Sequence, residues 1–227
     1  MRIINVERIV ANKYNHLLTV LIVFIFLAPA FEQDVKIPGL GLIPMMLLLT
    51  IVLCLRATVA NKRVFWACTA IVITGCLSDF ISRQVKTVEL ADTLSTINLL
   101  LHTVFVAWAI ILLMKSMFRA HRVTADTIVG GICVYLLIGL FWALVYTLLN
   151  NLKSGVISFE GDPSLFYFSF TTLTTLGYGD IVPKGRFVMM LANFEAISGQ
   201  IFLAVFIARL VGLHTAQGFT FTERPAE

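Results

Sequence analysis

Six long apolar stretches dominate the chain and restrict what it can fold into. They cover approximately 14–31, 38–60, 64–82, 94–118, 127–150 and 187–212. A helix needs about 20 mostly apolar residues to cross a bilayer, and each stretch is close to or above that length. The connections between them are short, and no internal repeat is visible. The pattern predicts an all-α membrane protein with six transmembrane helices.

The composition argues against most soluble classes of protein. Hydrophobic residues make up 59% of the chain and charged residues only 13%, whereas about a quarter of a soluble domain is usually charged. All four cysteines lie inside apolar stretches, which fits neither a disulfide framework nor a zinc site. The sequence contains no nucleophile–base pair and no phosphate-binding loop. We therefore expect no enzyme, no cofactor, no nucleic acid and no soluble substrate, with membrane lipids as partners.

The distribution of Lys and Arg sets the predicted orientation. With the amino terminus inside, the cytoplasmic segments hold eleven of these basic residues and the outer segments hold six. Because cytoplasmic loops are enriched in positive charge, both termini are expected in the cytoplasm. The compact plan fits the plasma membrane of a prokaryote, either bacterial or archaeal.

One segment between the fifth and sixth stretches is too short to cross the membrane and return as two helices. It runs from Ser164 to Leu176, with Asp162 as a candidate helix cap and Pro163 at the first helical position. We expect a half-membrane helix followed by an extended return. Non-helical backbone at this depth is tolerated only when it is buried in protein or lines a water-filled path. The segment therefore indicates a pore.

The return carries glycines at alternate positions, Gly177 and Gly179. Backbone carbonyls can replace the water of a dehydrated cation only if successive groups point to one side. That arrangement requires conformations that glycine adopts readily. The run from Thr174 to Asp180 resembles the signature of potassium channels, with Leu176 where Val or Ile is commoner. The resemblance covers approximately 127–212.

The resemblance implies roles for the residues of this selectivity filter. The filter would consist of Thr175, Leu176, Gly177, Tyr178 and Gly179, and the backbone carbonyls of the first four would line the path of K⁺. The Thr175 hydroxyl would lie at the inner end, and the Leu176 and Tyr178 side chains would point away from the ions. One chain supplies one strip of carbonyls, so the resemblance implies a homotetramer with K⁺ as the permeant ion.

The surroundings of the filter depart from the family pattern. Many relatives place two tryptophans in the pore helix, where this chain has Tyr167 and Phe168, and a bracing Glu is replaced by Thr171. We predict that the Tyr167 hydroxyl donates a hydrogen bond to Asp180 and holds the outer filter. Packing of Tyr167 as an interfacial ring is the alternative. Thr171 and Thr174 are also assigned to filter support.

The fourth stretch lacks the charges of a voltage sensor. A sensor moves several charges through the field, at about 2.3 kcal/mol per charge per 100 mV. Residues 94–114 contain no Lys or Arg. Basic residues come only after this stretch, in an expected amphipathic linker, and are interpreted as headgroup anchors: Lys115, Arg119 and Arg122. We predict that no arginine-ladder sensor is present.

The sixth stretch contains a carboxylate and a glycine in otherwise apolar surroundings. An intramembrane carboxylate is costly and usually faces protein or water. Glu195 therefore either faces the cavity and concentrates cations, or lies behind the filter bonded to Thr171 or Thr172, the placement that we favour. Gly199 is a candidate hinge or a site of close helix packing. Arg209 is interpreted as an anchor at the cytoplasmic mouth.

These interpretations divide the chain into a four-helix region at 1–118, a linker at 119–126, a pore domain at 127–213 and a short cytoplasmic tail at 214–227. The four-helix region resembles a voltage sensor in position only. The expected function is passive, potassium-selective conduction through a tetrameric pore. Two alternatives stay open, a weakly selective cation channel and the membrane subunit of a potassium-uptake transporter.

Overall fold

The computed structural model describes residues 13–32, 48–55, 66, 69–75, 77, 88–119, 122–153, 155–158 and 164–222. The elements in these ranges are, in chain order, α1 (Lys13–Glu32), α2 (Val88–Arg119), α3 (Ala125–Leu152), β1 (Ile157–Ser158), α4 (Leu165–Leu173), β2 (Val182–Pro183) and α5 (Arg186–Thr222). Residues 48–55 and 69–75 are also helical. The described part of the chain is mostly helical, as predicted.

Three helices in the described ranges are long and apolar enough to cross a membrane. They contain the spans Thr93–Arg119, Ala125–Leu152 and Arg186–Gln217, which correspond to the fourth, fifth and sixth predicted stretches. The first stretch forms a shorter apolar helix, Tyr14–Leu27, within α1. Most of the second and third stretches lies outside the described residues, so six spans remain a prediction.

The connection between α2 and α3 lies within the predicted linker at 119–126, but Lys115, which was also assigned to the linker, does not belong to it. Helix α2 continues through Lys115 and ends at Arg119, because no Gly or Pro interrupts the fourth stretch. Helix α3 begins immediately after Thr124, whose side chain accepts from the Thr127 backbone N–H while the Thr127 hydroxyl faces the Thr124 backbone N–H. This reciprocal capping box fixes where α3 starts. Lys115 and Arg119 therefore belong to the end of a spanning helix.

The main hydrophobic core forms around α3. Helices α1, α2, α4 and α5 all contact α3. Side chains of α1, α2 and α3 are fully buried together in this core. They include Leu17 of α1, Phe105 and Leu113 of α2, and Leu137 of α3. Half of the α3 span is buried, but only 17% of the α5 span. Helix α5 therefore presents a large apolar surface away from this chain.

Helix α5 extends beyond the predicted end of the pore domain. Its 37 residues run to Thr222, a length of about 55 Å against about 30 Å for the hydrocarbon core of a bilayer. The segment assigned to the cytoplasmic tail therefore begins as a helix. The chain has no proline between residues 187 and 222, so nothing in the sequence forces the helix to stop at Gly212.

Candidate functional site

Helix α4 is the predicted half-membrane helix, and it is nine residues long. Its cap is Ser164, whose Oγ accepts a hydrogen bond from the Tyr167 backbone N–H at 3.0 Å. The cap is therefore two residues later than the predicted cap, Asp162. Asp162 and Pro163 lie outside the described residues. At the other end, the Thr174 backbone N–H donates to the Phe170 carbonyl at 3.1 Å, and the helix stops.

The chain turns sharply after α4 and stays attached to the end of the helix. The Thr171 carbonyl accepts from the backbone N–H groups of Leu176, at 2.8 Å, and Gly177, at 3.2 Å. The Thr175 N–H donates to the Thr172 carbonyl at 2.9 Å. These bonds satisfy carbonyls that a helix end otherwise leaves unpaired. Thr171 thus supports the return through its backbone, because its hydroxyl donates to the Phe168 carbonyl within the helix.

The extended return has left-handed backbone conformations at alternate positions. The φ angles are 59° at Thr175, 51° at Gly177 and 82° at Gly179. The sequence predicted the two glycines, but it gave no signal for Thr175, a β-branched residue for which this conformation is strained. Alternation between left-handed and ordinary conformations is the geometry that turns successive carbonyls toward one side of an extended chain.

A pair of tyrosines braces the outer part of the return. The Tyr167 hydroxyl donates to Asp180 Oδ2 at 2.8 Å, so the predicted hydrogen bond is present. The Tyr178 ring stacks on the Tyr167 ring, with centroids 6.4 Å apart and planes 4° from parallel. A tyrosine phenol ordinarily titrates at about pH 10, so it keeps its proton and remains a donor at physiological pH.

A two-stranded sheet fixes the chain beyond the return. Strand β2 pairs antiparallel with β1, and Ile157 lies opposite Pro183. The Lys184 N–H also donates to the Val156 carbonyl at 2.9 Å. These bonds link the outer end of the return to the segment that follows α3. The return is therefore attached at both of its ends.

Glu195 of α5 is fully buried and lies behind the return, the placement that the sequence analysis favoured. Its partners differ from the predicted ones. Tyr146 Oη of α3 donates to Glu195 Oε2 at 2.6 Å, and Ser169 Oγ of α4 lies 2.6 Å from Oε1. Thr171 was predicted as a partner, but its hydroxyl bonds within α4. The carboxyl thus joins α3, α4 and α5 at one point.

The Ser169 hydroxyl faces two oxygens at this junction, one more acceptor than its single proton can serve. Ser169 Oγ is 2.8 Å from the Gly139 carbonyl as well as 2.6 Å from Glu195. A hydroxyl has one proton and can donate to only one of two acceptors. A carboxylic acid or an amide at position 195 can donate to Ser169 while Ser169 donates to Gly139. The junction is therefore suited to an uncharged side chain at this position.

Gly199 lies one helical turn after Glu195, directly against the end of α4. A Cβ at this position would lie 2.7 Å from the Leu173 carbonyl oxygen and 2.7 Å from Leu173 Cδ1. Such contacts are too short for any L-residue without movement of the backbone. The close-packing interpretation is confirmed, and the hinge role stays a prediction.

Arg209 was predicted to be an anchor at the cytoplasmic mouth, but the structure gives it specific contacts with α2. Its Nη2 donates to the Phe118 carbonyl at 2.7 Å and to the Met117 carbonyl at 3.4 Å. Its guanidinium carbon also lies 5.1 Å from the centre of the Phe118 ring. Carbonyls at a helix end lack partners within the helix and attract cations. Arg209 therefore connects α5 to the carboxyl end of α2, which sequence reasoning missed.

Residues 132–215 match a protein-family model described as ion channel. The chain is therefore similar to ion channels over this segment. The matched segment begins inside α3 and ends inside α5, so it contains α4, the extended return, Glu195 and Gly199. No curated protein and no solved structure is significantly similar to the chain.

The described acidic side chains of the matched segment, Asp180 and Glu195, already have protein partners. Within the ranges that the structure describes, no three His, Cys, Asp or Glu side chains come together as a metal site. Glu195 is enclosed by protein, and Asp180 accepts from Tyr167 and from the Ile181 N–H. The residues from Thr174 to Asp180 are all exposed on the single chain.

Proposed function

We propose that this chain is one subunit of a homotetrameric, potassium-selective channel. The observation that carries the proposal is the alternation of left-handed residues at Thr175, Gly177 and Gly179 directly after a short helix. This return lies between two spanning helices, α3 and α5, in a segment that matches ion channels. It is exposed on the single chain, as expected of a strip that faces three other copies across a pore.

Selectivity in this proposal rests on the carbonyls of Thr175, Leu176, Gly177 and Tyr178. They replace the hydration shell of K⁺ as the ion moves through the filter. The carboxyl end of α4 adds roughly half a negative charge near the inner end of the filter, and four copies stabilise a cation there. The permeant ion is K⁺, and the proposal includes no cofactor and no enzymatic activity.

The contacts around the filter hold these carbonyls in place. The outer end depends on Tyr167 and Asp180, and the inner end depends on the hydrogen bonds to the Thr171 carbonyl. Glu195 fixes α4 between α3 and α5 from behind. Because all four copies must present carbonyls at matched positions, small displacements of α4 are expected to weaken selectivity.

Gating is proposed to occur without an arginine-ladder voltage sensor, since residues 94–114 contain no Lys or Arg. The channel is placed in a prokaryotic plasma membrane with both termini in the cytoplasm. The alternatives are a weakly selective cation channel and a transporter subunit. No particular contact in the described residues favours either of them over the potassium channel.

Potassium flux into vesicles tests the filter assignment. Purified protein in liposomes is expected to carry rubidium, a close substitute for potassium, and Gly177→Ala is expected to abolish the flux. Alanine at a left-handed position costs about 1–2 kcal/mol per residue, and four copies meet at the filter. Gly212→Ala is the matched control, since nothing lies within 4 Å of a Cβ there. Equal flux for both variants would show that Gly177 does not form the conducting path.

A further inference from the structure

A cleft between α2, α3 and α5 is not used by the proposed conduction path. It has a volume of about 480 Å³, which is within the range of about 300–1,000 Å³ that is usual for ligand pockets. All three helices contribute to its walls. Representative lining residues are Ile110, Met114, Phe118, Trp142, Phe194 and Ile201.

The walls of the cleft are suited to hydrocarbon. All of the described lining residues except Ser198 are aliphatic, aromatic or methionine. The Ser198 hydroxyl donates to the Glu195 carbonyl at 2.7 Å within α5, so its proton already has an acceptor. A cavity with such walls does not hold water well, because water needs two to four polar partners.

The cleft continues onto apolar surface that is exposed on the single chain. Ile111 of α2 and Ile201 and Val205 of α5 line it, and they remain 42%, 57% and 48% exposed. Both helices contain candidate membrane spans. The apolar molecules that reach such a surface are the acyl chains of lipids.

The end of the cleft at Phe118 lies next to a cluster of positive charge. Arg209 sits over the Phe118 ring, and Lys115 and Arg119 are exposed in the last turns of α2. The sequence contains no Asp or Glu from 93 to 125 or from 196 to 222. The carboxylate nearest in sequence is Asp126, in the first turn of α3. Basic residues beside a membrane-spanning helix attract anionic lipid headgroups.

We infer that the cleft binds one acyl chain of an anionic phospholipid, whose headgroup lies at the basic inner ends of α2 and α5. The volume and the apolar walls account for the acyl chain, and the exposed basic side chains of Lys115 and Arg119 account for the headgroup. Because α5 forms one wall, a bound lipid would be in contact with the helix that carries Glu195 and Gly199. The inference concerns lipid binding and does not require potassium selectivity.

Trp142 provides a direct probe of the cleft. It lines the cleft, and only 7% of its surface is exposed, so lipids in the surrounding bilayer contact it little except through the cleft. The other tryptophans, Trp66 and Trp108, are well exposed and can be replaced by phenylalanine. The resulting single-tryptophan chain is reconstituted in phosphatidylcholine vesicles that contain a minor fraction of brominated phosphatidylglycerol. Bromine quenches tryptophan fluorescence on contact.

We expect brominated phosphatidylglycerol to quench Trp142 more strongly than the same fraction of brominated phosphatidylcholine. Lys115→Gln and Arg119→Gln should each weaken the preference for the anionic lipid about fivefold, whereas Lys184→Gln, a distant exposed lysine, should not change it. Ala107→Phe, which fills the cleft, should abolish quenching, and Ile207→Phe, on the exposed surface of α5 outside the cleft, should not.

Two results would overturn the inference. Equal quenching by the two brominated lipids would mean that the basic cluster does not select a headgroup. No quenching by either lipid would mean that protein fills the cleft, either another segment of this chain or a second copy. Neither result affects the proposed potassium channel, since rubidium flux is measured separately. Circular dichroism of each variant verifies that its helices are retained.

Discussion

Replacing Glu195 by alanine tests whether the buried junction between α3, α4 and α5 stabilises the pore. The substitution removes the acceptor of the Tyr146 hydroxyl and the partner of Ser169, both of which are fully buried. The Ser169 hydroxyl can still donate to the Gly139 carbonyl, whereas the Tyr146 hydroxyl loses its acceptor. A buried polar group left without a partner costs about 1–3 kcal/mol, which is the expected loss per subunit. We expect a lower thermal unfolding temperature in detergent and a loss of potassium selectivity.

Glu195→Gln is the decisive companion variant. An amide accepts from Tyr146 through its oxygen and donates to Ser169 through its nitrogen, which leaves Ser169 free to donate to Gly139. We therefore expect Glu195→Gln to retain the unfolding temperature and the selectivity of the parent chain. Gln200→Ala serves as the control, because Gln200 is exposed on the same helix. The reasoning would be refuted if alanine at position 195 were as well tolerated as glutamine.

Three further substitutions test the other contacts. Tyr167→Phe removes the hydrogen bond to Asp180 but keeps the ring, so we expect faster loss of conduction during sustained current, measured in planar bilayers. Gly199→Ala forces a methyl group against the Leu173 carbonyl, and we expect a loss of about 1–3 kcal/mol of stability, measured by thermal unfolding. Arg209→Gln weakens the charged hydrogen bonds to the end of α2 by about 1–2 kcal/mol, which is expected to change the open probability without changing selectivity.

Each of these predictions has a contrary outcome. Unchanged current decay in Tyr167→Phe would mean that the ring packs at the interface and does not brace the filter. An unaltered unfolding temperature in Gly199→Ala would show that α4 and α5 separate easily at this point. Changed selectivity in Arg209→Gln would mean that the contact between α5 and α2 acts on the filter and not on opening.

The sequence predicted those features of the site that depend on local backbone chemistry. Gly177 and Gly179 are left-handed, as their alternate positions predicted, and the short length of the segment from Ser164 to Leu176 predicted α4. The fourth, fifth and sixth apolar stretches are helices that are long enough to span a membrane. Each of these signals is contained in the residues of the element itself.

Contacts between distant elements were harder to predict. The burial of Glu195 followed from the cost of an intramembrane carboxylate, but its partners, Tyr146 and Ser169, depend on how three helices rotate against each other. Arg209 was interpreted as an anchor because its acceptors are backbone carbonyls. Every residue has a backbone carbonyl, so the sequence does not indicate which ones Arg209 contacts. The left-handed conformation of Thr175 also has no local signal, since it results from the turn at the end of α4.

The most direct test of the central proposal is the reversal potential of the purified channel in a planar bilayer, with potassium on one side and sodium on the other. The Gly177→Ala variant is recorded under the same conditions to show that any current comes from this chain. A reversal potential close to the potassium equilibrium potential is the result that the proposed filter predicts. A reversal potential near zero would contradict it, because a pore that passes both ions equally does not select by the carbonyls of Thr175 to Tyr178.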